Sequence, residues 1–180
     1  MLGAGYDTRS VRFLTKNEID EAWELDVVEV LDSKLVMLDR LKSRRPECGL
    51  PNIVSADLND VKTFRKHLNG IIPGANSNWH TIFLFEGVLM YLKGEIPDQI
   101  MSACANHLQE QGQSGSLIFA DYLRGLPSDG DFQMAKKRLA TLGWNLVDDS
   151  WSFQPSFQAK HMGRAVVISS GGAIMDSPSP

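Results

Sequence analysis

The alternation of two hydrophobic periods limits this chain more than any other feature. HTIFLF at 80–85 and SLIFADYL at 116–123 are near-continuous apolar runs. Such runs read as strands covered on both faces. Glu86 and Gly87 stop the first of them. Shorter strand signals lie at EAWELD (21–26) and NIVSAD (52–57). Helical spacing fills the gaps. Residues 27–43 place Val27, Val28, Leu31, Leu35, Leu38 and Leu41 on one face. DVKTFRKHL (60–68) reads as a short amphipathic helix, and residues 95–110 as a longer one with Ile96, Ile100, Ala103, Ala105 and Leu108 at core positions. A last helix covers 131–142, and Gly143 suits its stop. Repeated β-α units require a mostly parallel sheet with helices on both faces. The C-terminal part breaks the pattern. NLVDDSW (145–151) and RAVVISS (164–170) are two strand signals with no helix between them, which suits an antiparallel hairpin. The expected architecture is α/β, one domain over residues 1–170, with 171–180 a disordered tail.

The chain has 180 residues, enough for a domain with a substantial core. Its formal net charge of −4 argues against broad electrostatic binding to nucleic acid. The basic cluster Lys42, Arg44 and Arg45 reads as a solvated helix end, where cations suit the macrodipole. Cys48 and Cys104 form no CxxC or disulfide pattern, so a reducing, cytoplasmic setting is the default, with organelle targeting left open. No apolar run approaches the ~20 residues of a membrane span.

In open α/β sheets, ligands sit beyond the carboxyl ends of the strands. The polar residues there are Gly3 to Asp7, Asp26, Asp57, Glu86 and Asp121. Gly3 and Gly5 let a ligand approach the backbone closely. A helix starting near Thr8 would aim free N–H groups at it. A dinucleotide fingerprint requires a third glycine where Thr8 stands, which disfavours NAD. Asp26 lies where an acid accepts hydrogen bonds from both hydroxyls of a ribose. It equally suits the N-cap of the helix that follows. Asp57 followed by Leu58 sets an acceptor beside an apolar surface, suited to an adenine edge and face; a chain-turning loop Asp is the alternative. Glu86 interrupts an apolar run at a strand tip, where a carboxylate must be partnered or wet.

LGAGYDTRSVRF, WELDVVEVLDSK, SADL and FEGVLMYL, in this order and spacing, resemble the leucine carboxyl methyltransferase family over residues 2–123. The resemblance implies a Rossmann-like class I methyltransferase sheet and S-adenosylmethionine as cofactor. It implies transfer to a carboxylate or hydroxyl, on a small molecule or at a protein C-terminus. Gly3 matches the turn glycine at the cofactor's methionine moiety, with Gly5 in the same turn. Asp26 matches the ribose acid, Asp57 and Leu58 the adenine pair, and Glu86 the strand-end glutamate near the cofactor. Tyr91 falls at the family's EGxLxYL tyrosine, near the acceptor pocket, with a packed core aromatic as the alternative. Asp7 and Arg9 belong to the motif and could tie the turn to neighbouring loops by an ion pair.

Methyl transfer from a sulfonium to an ionised oxygen needs alignment and desolvation rather than a triad. His67, His80, His107 and His161 show no metal spacing and read as surface or capping residues, His161 with an outside claim on the acceptor pocket. In the family, most of a central first strand and several covering helices precede the glycine turn. Here only Met1 and Leu2 do. Two expectations follow. One is a methyltransferase domain incomplete at its N-terminus. The other is a non-catalytic remnant that keeps the fold as a cofactor-binding module. Either would expose sheet edges and reduce solubility.

Overall fold

A computed structural model describes residues 1–72, 79–126, 131–154 and 160–167. The tail and the end of the last strand signal, 168–180, lie outside the described residues. The chain divides into two compact units, Met1–Asp60 and Val61–Pro180.

The first unit runs α1 (Arg9–Thr15), β1 (Trp23–Asp26), α2 (Val28–Arg44) and β2 (Asn52–Ser55). β1 and β2 pair in parallel, from Trp23↔Asn52 to Asp26↔Ser55. Leu2 adds a single parallel bridge to Leu25, so the chain enters its glycine turn from beside β1. Val11, Leu38 and Cys48 form the local core, with Leu41, Leu50 and Ile53 packed against it.

α2 corrects one expectation. Val27, Val28 and Leu35, expected on the buried face, are exposed. Lys34 is fully buried there instead, between Leu31 and Leu38. The reason is Glu24, a fully buried acid on β1. The Lys34 ammonium lies 2.5 Å from it. A buried carboxylate without a counter-charge costs far more than an exposed leucine, so the helix turns Lys34 inward.

The second unit runs α3 (Val61–Ile71), β3 (His80–Glu86), α4 (Ile96–Gln111), β4 (Ser114–Asp121), α5 (Phe132–Thr141), β5 (Trp144–Leu146), β6 (Ser152–Gln154) and β7 (Lys160–Val167). Its sheet is five-stranded, in the order β3-β4-β7-β5, with β6 also on β7. β3 and β4 are parallel. β7 runs antiparallel to β4, β5 and β6. The expected hairpin is therefore present as β5 against β7. The 145–151 signal is shorter than expected, because a 3-10 turn at Asp148–Ser150 ends β5 early and leads into β6.

α4 covers one face of this sheet. Ile100, Ala103, Ala105 and Leu108 are buried, as their spacing requires. Contact is close enough that a Cβ on Gly115 would fall 2.3 Å from the Leu108 Cδ1 and 2.8 Å from the Thr81 carbonyl oxygen. Trp144 is fully buried beneath the helix and donates from Nε1 to the Met101 carbonyl at 2.9 Å. α5 starts on Asp131, whose side chain accepts from the Gln133 and Met134 N–H groups as an N-cap. No helix among the described residues is long and apolar enough to cross a membrane.

Candidate functional site

The glycine turn is built on β1. The Gly3 and Ala4 N–H groups donate to the Leu25 carbonyl at 2.9 and 3.2 Å. Gly3 and Gly5 both have positive φ, 65° and 50°. L side chains rarely adopt such angles, so glycine is required. Open space lies beyond Gly5, where an added Cβ would meet nothing within 4 Å. The Gly5 N–H donates to Asp26 Oδ2 at 2.7 Å, which ties the turn to the end of β1. Asp26 Oδ1 accepts from its neighbour Val27 N–H at 2.8 Å. Asp26 is therefore not the N-cap of α2: Val27 holds that position, without a side-chain cap. Each Asp26 oxygen still has lone-pair capacity for a further donor.

Charges fasten the rest of the turn. Glu24 accepts from the Ser10 hydroxyl and pairs with Lys34. Lys34 also donates to the Asp7 carbonyl at 2.9 Å. Asp7 accepts from Arg9 through the backbone N–H at 2.7 Å and through Nε at 2.6 Å. Burial opposes the charge of Asp7, but the Arg9 hydrogen bonds and the positive charges of Arg9 and Lys34 outweigh it. The Asp7 carboxyl is held below its usual range. The ion pair expected from the motif is thus local, within the turn itself.

β2 ends beside β1, and the Ala56 N–H donates to the Asp26 carbonyl at 2.8 Å. Asp57, just beyond, is exposed. Its Oδ1 accepts from the Asn59 N–H and side-chain amide at 2.8 and 3.0 Å. Asp57 is thus both an exposed acid and a turn former. Leu58 is 5% exposed, so most of the apolar surface expected there is packed inside. The first unit therefore brings Gly3, Gly5, Asp26, Asp57 and Leu58 to one end of its two strands.

The second unit carries Glu86 and Tyr91 on the segment that leaves β3. Glu86 ends β3 and is exposed. The Gly87 N–H donates to the Ala120 carbonyl at 3.1 Å, and a 3-10 turn follows at Leu89–Tyr91. Leu89 and Leu92 point into the core at 0% and 5% exposure, while Tyr91 stands out at 71%. Tyr91 is not a packed core aromatic.

Three residues of this region matter more than the sequence suggested. Asp121 is fully buried at the end of β4 and accepts backbone N–H groups from Val88 and Leu89 at 2.6 and 2.7 Å. Arg124 donates to the Leu92 and Gly94 carbonyls at 2.9 and 3.1 Å. His161, expected at the surface or as a cap, is fully buried and stacked on Trp151 at 5.4 Å between ring centroids. Its Nδ1 accepts from the Leu123 N–H at 3.2 Å. His107 is also buried, against the same expectation. The apolar and aromatic character of the neighbouring segments, Trp151, Phe153 and Tyr122, was the available signal for His161.

A family profile described as leucine carboxyl methyltransferase matches residues 1–105. No curated protein sequence matches the chain. Solved structures resemble it at low identity. A magnesium protoporphyrin IX methyltransferase from Synechocystis, with bound S-adenosylhomocysteine, is 14% identical at a TM-score of 0.56, over 92% of this chain and 72% of that one. A 1,6-didemethyltoxoflavin-N1-methyltransferase from Burkholderia thailandensis, crystallised with its namesake ligand and S-adenosylhomocysteine, is 13% identical at 0.57, over 92% and 69%. A pericyclic reaction enzyme is 8% identical at 0.50, and the chain spans 41% of its length. These likenesses establish the class I methyltransferase fold, which hosts more than one chemistry.

Proposed function

The chain belongs to the leucine carboxyl methyltransferase family, and from that premise we propose that it transfers a methyl group from S-adenosylmethionine to an oxygen acceptor, a carboxylate or a hydroxyl. The observation that carries this reading is the pairing of the glycine turn with Asp26, through the Gly5 N–H at 2.7 Å. It sets an open, glycine-lined backbone beside a carboxylate with free lone pairs, and an exposed second acid, Asp57, one strand away. That donor and acceptor set fits a nucleoside bearing a charged amino-acid tail.

In this reading Gly3 and Gly5 admit the methionine moiety against the backbone. Asp26 accepts from the ribose hydroxyls. Asp57 accepts from the adenine amino group, with Leu58 on the buried side. Glu86 contributes a further acceptor for the cofactor from the end of β3, and Tyr91 faces the methyl acceptor. The bound cofactor supplies an electrophilic methyl on a sulfonium. An ionised acceptor needs no proton removed, so the residues serve alignment and exclusion of water.

One observation favours a second reading. Both Asp26 oxygens already accept backbone N–H groups, so the turn is complete in itself. A cofactor-binding module without turnover would keep the same geometry.

Titration calorimetry with S-adenosylmethionine and with NAD separates these readings from a dehydrogenase. Saturable binding of the first alone is expected. Asp26→Ala should weaken it by ~1.5–3 kcal/mol, the range for hydrogen bonds to a charged group. An unchanged affinity would reduce Asp26 to a support of the turn. Binding without methylation of any carboxylate or hydroxyl acceptor would favour the module, and binding of NAD alone would overturn the methyltransferase reading.

A further inference from the structure

The segment that leaves β4 holds the Glu86–Gly94 loop from both sides, with opposite chemistry. Asp121 takes the donors. Its Oδ2 accepts the Val88 and Leu89 N–H groups at 2.6 and 2.7 Å. Its Oδ1 accepts the Met90 N–H at 3.3 Å and its own neighbour's, Tyr122, at 2.8 Å. Arg124, three residues on, takes the acceptors. Nη2 reaches the Leu92 carbonyl at 2.9 Å and Nη1 the Gly94 carbonyl at 3.1 Å. Tyr91 is the residue between the two grips.

The physical need is plain. A three-residue 3-10 turn leaves its leading N–H groups without internal partners. Val88 and Leu89 are buried, so water cannot serve them. A carboxylate satisfies several at once through charge-assisted bonds. The guanidinium fork matches two carbonyls that a single ammonium could not reach together. The anchoring segment is itself fixed. The Leu123 N–H donates to the buried His161 Nδ1, and a backbone N–H is always a donor, so Nδ1 carries no proton. His161 in turn is wedged among Trp151, Phe153 and Tyr122.

A loop pinned at both ends that nonetheless presents a large aromatic at 71% exposure is organised for presentation. Resting on the function proposed above, we infer that Asp121 and Arg124 are positioning residues. They fix Glu86 for the cofactor and Tyr91 for the methyl acceptor, without touching either ligand.

Hydrogen–deuterium exchange and calorimetry on the full chain test this. Asp121→Asn turns an amide NH2 toward N–H donors. Arg124→Gln removes the fork at an exposed position and serves if the first variant fails to fold. Exchange at Val88–Leu92 should accelerate at least tenfold in both variants, while α4 keeps its rate. S-adenosylmethionine affinity should fall about tenfold in Asp121→Asn and about fivefold in Arg124→Gln. In a Glu86→Gln background, Arg124→Gln should cost less than twofold more, because it acts through Glu86. Arg124→Lys should give an intermediate loss. Unchanged exchange in the loop, or an affinity loss fully additive with Glu86→Gln, overturns the inference. Absence of binding by the unsubstituted chain overturns the methyltransferase reading. The two failures are distinguishable, because exchange is read with no cofactor present.

Discussion

The glycine turn of the first unit and the Glu86–Gly94 loop of the second are both fastened by a fully buried acid, but the acids are neutralised differently. Glu24 is matched by the Lys34 ammonium at 2.5 Å and the Ser10 hydroxyl. Asp121 is matched by the N–H groups of the segment it holds. An ion pair buries two charges and must offset two desolvation costs, so its net contribution is small even when breaking it is severe. An acid set in backbone N–H groups has no partner to delete. Those donors belong to the chain, and each becomes an orphan if the acid is lost. The first arrangement is replaceable as a pair, and the second is not replaceable at all.

Substitution breaks or sharpens that contrast. Asp121→Leu should have the largest effect. It strands the Val88, Leu89 and Met90 N–H groups, and at ~1–3 kcal/mol for each orphaned group the loss should exceed about 3 kcal/mol. No apolar change nearby should restore it. Lys34→Met should come close behind, at about 3–5 kcal/mol, because Glu24 is left buried and uncompensated. Adding Glu24→Leu to Lys34→Met should recover most of that loss. Urea denaturation of the four proteins reads both series. A double variant no more stable than Lys34→Met alone would show that the pair stabilises in its own right, and the contrast would fail.

The sequence carried the fold further than it carried the supports of the site. Among the described residues every helix and every strand but one is legible, because apolar spacing reports burial directly, although β7 starts at Lys160, four residues before its signal. β6 was not, since Ser152–Gln154 is too short to show a period. The motif residues were legible as well: Gly3, Gly5, Asp26, Asp57 and Glu86 stand where strands stop. The buried acids and their partners were not. Apolarity assigns a helix face, and it puts Leu35 inward and gives no place to Lys34. Only the presence of Glu24 across from α2 draws Lys34 inward and leaves Leu35 exposed. Asp121 is visible as a strand-end acid, but three of its partners lie 31–33 residues earlier in the chain and are backbone atoms, which no side-chain pattern encodes. His161 reads from the sequence as a surface or capping residue. Its burial follows from the aromatic neighbours that β6, β7 and the β4 exit bring around it.

Acid provides the gentlest test, because the two units carry different titrating groups. In the second unit, burial lowers the pKa of His80, helped by the nearby Arg164 charge. His80 already uses both ring nitrogens, against the Ser114 and Ser116 hydroxyls at 3.0 and 2.9 Å. Burial also lowers His107, against a weaker opposing pull from Glu110. His107 Nε2 is buried without a hydrogen-bond partner, so a charge there would be poorly solvated. A folded pKa below the unfolded value of 6.5 means that the unfolded chain takes up protons the folded chain refuses. Stability from these groups is complete above pH 6.5 and declines as the pH falls through that value toward the folded pKa. In the first unit the shifted group is Asp7, also lowered. Its contribution is complete above the ordinary carboxyl value of 3.8 and is lost only below it. Between pH 7.5 and 5, protection from exchange, corrected for the intrinsic slowing of amide exchange in acid, should therefore fall in β3 and α4 before it does in β1 and α2. His107→Leu should flatten the change in α4. An equal loss of protection in both units over that range would show that the histidines are not what distinguishes them.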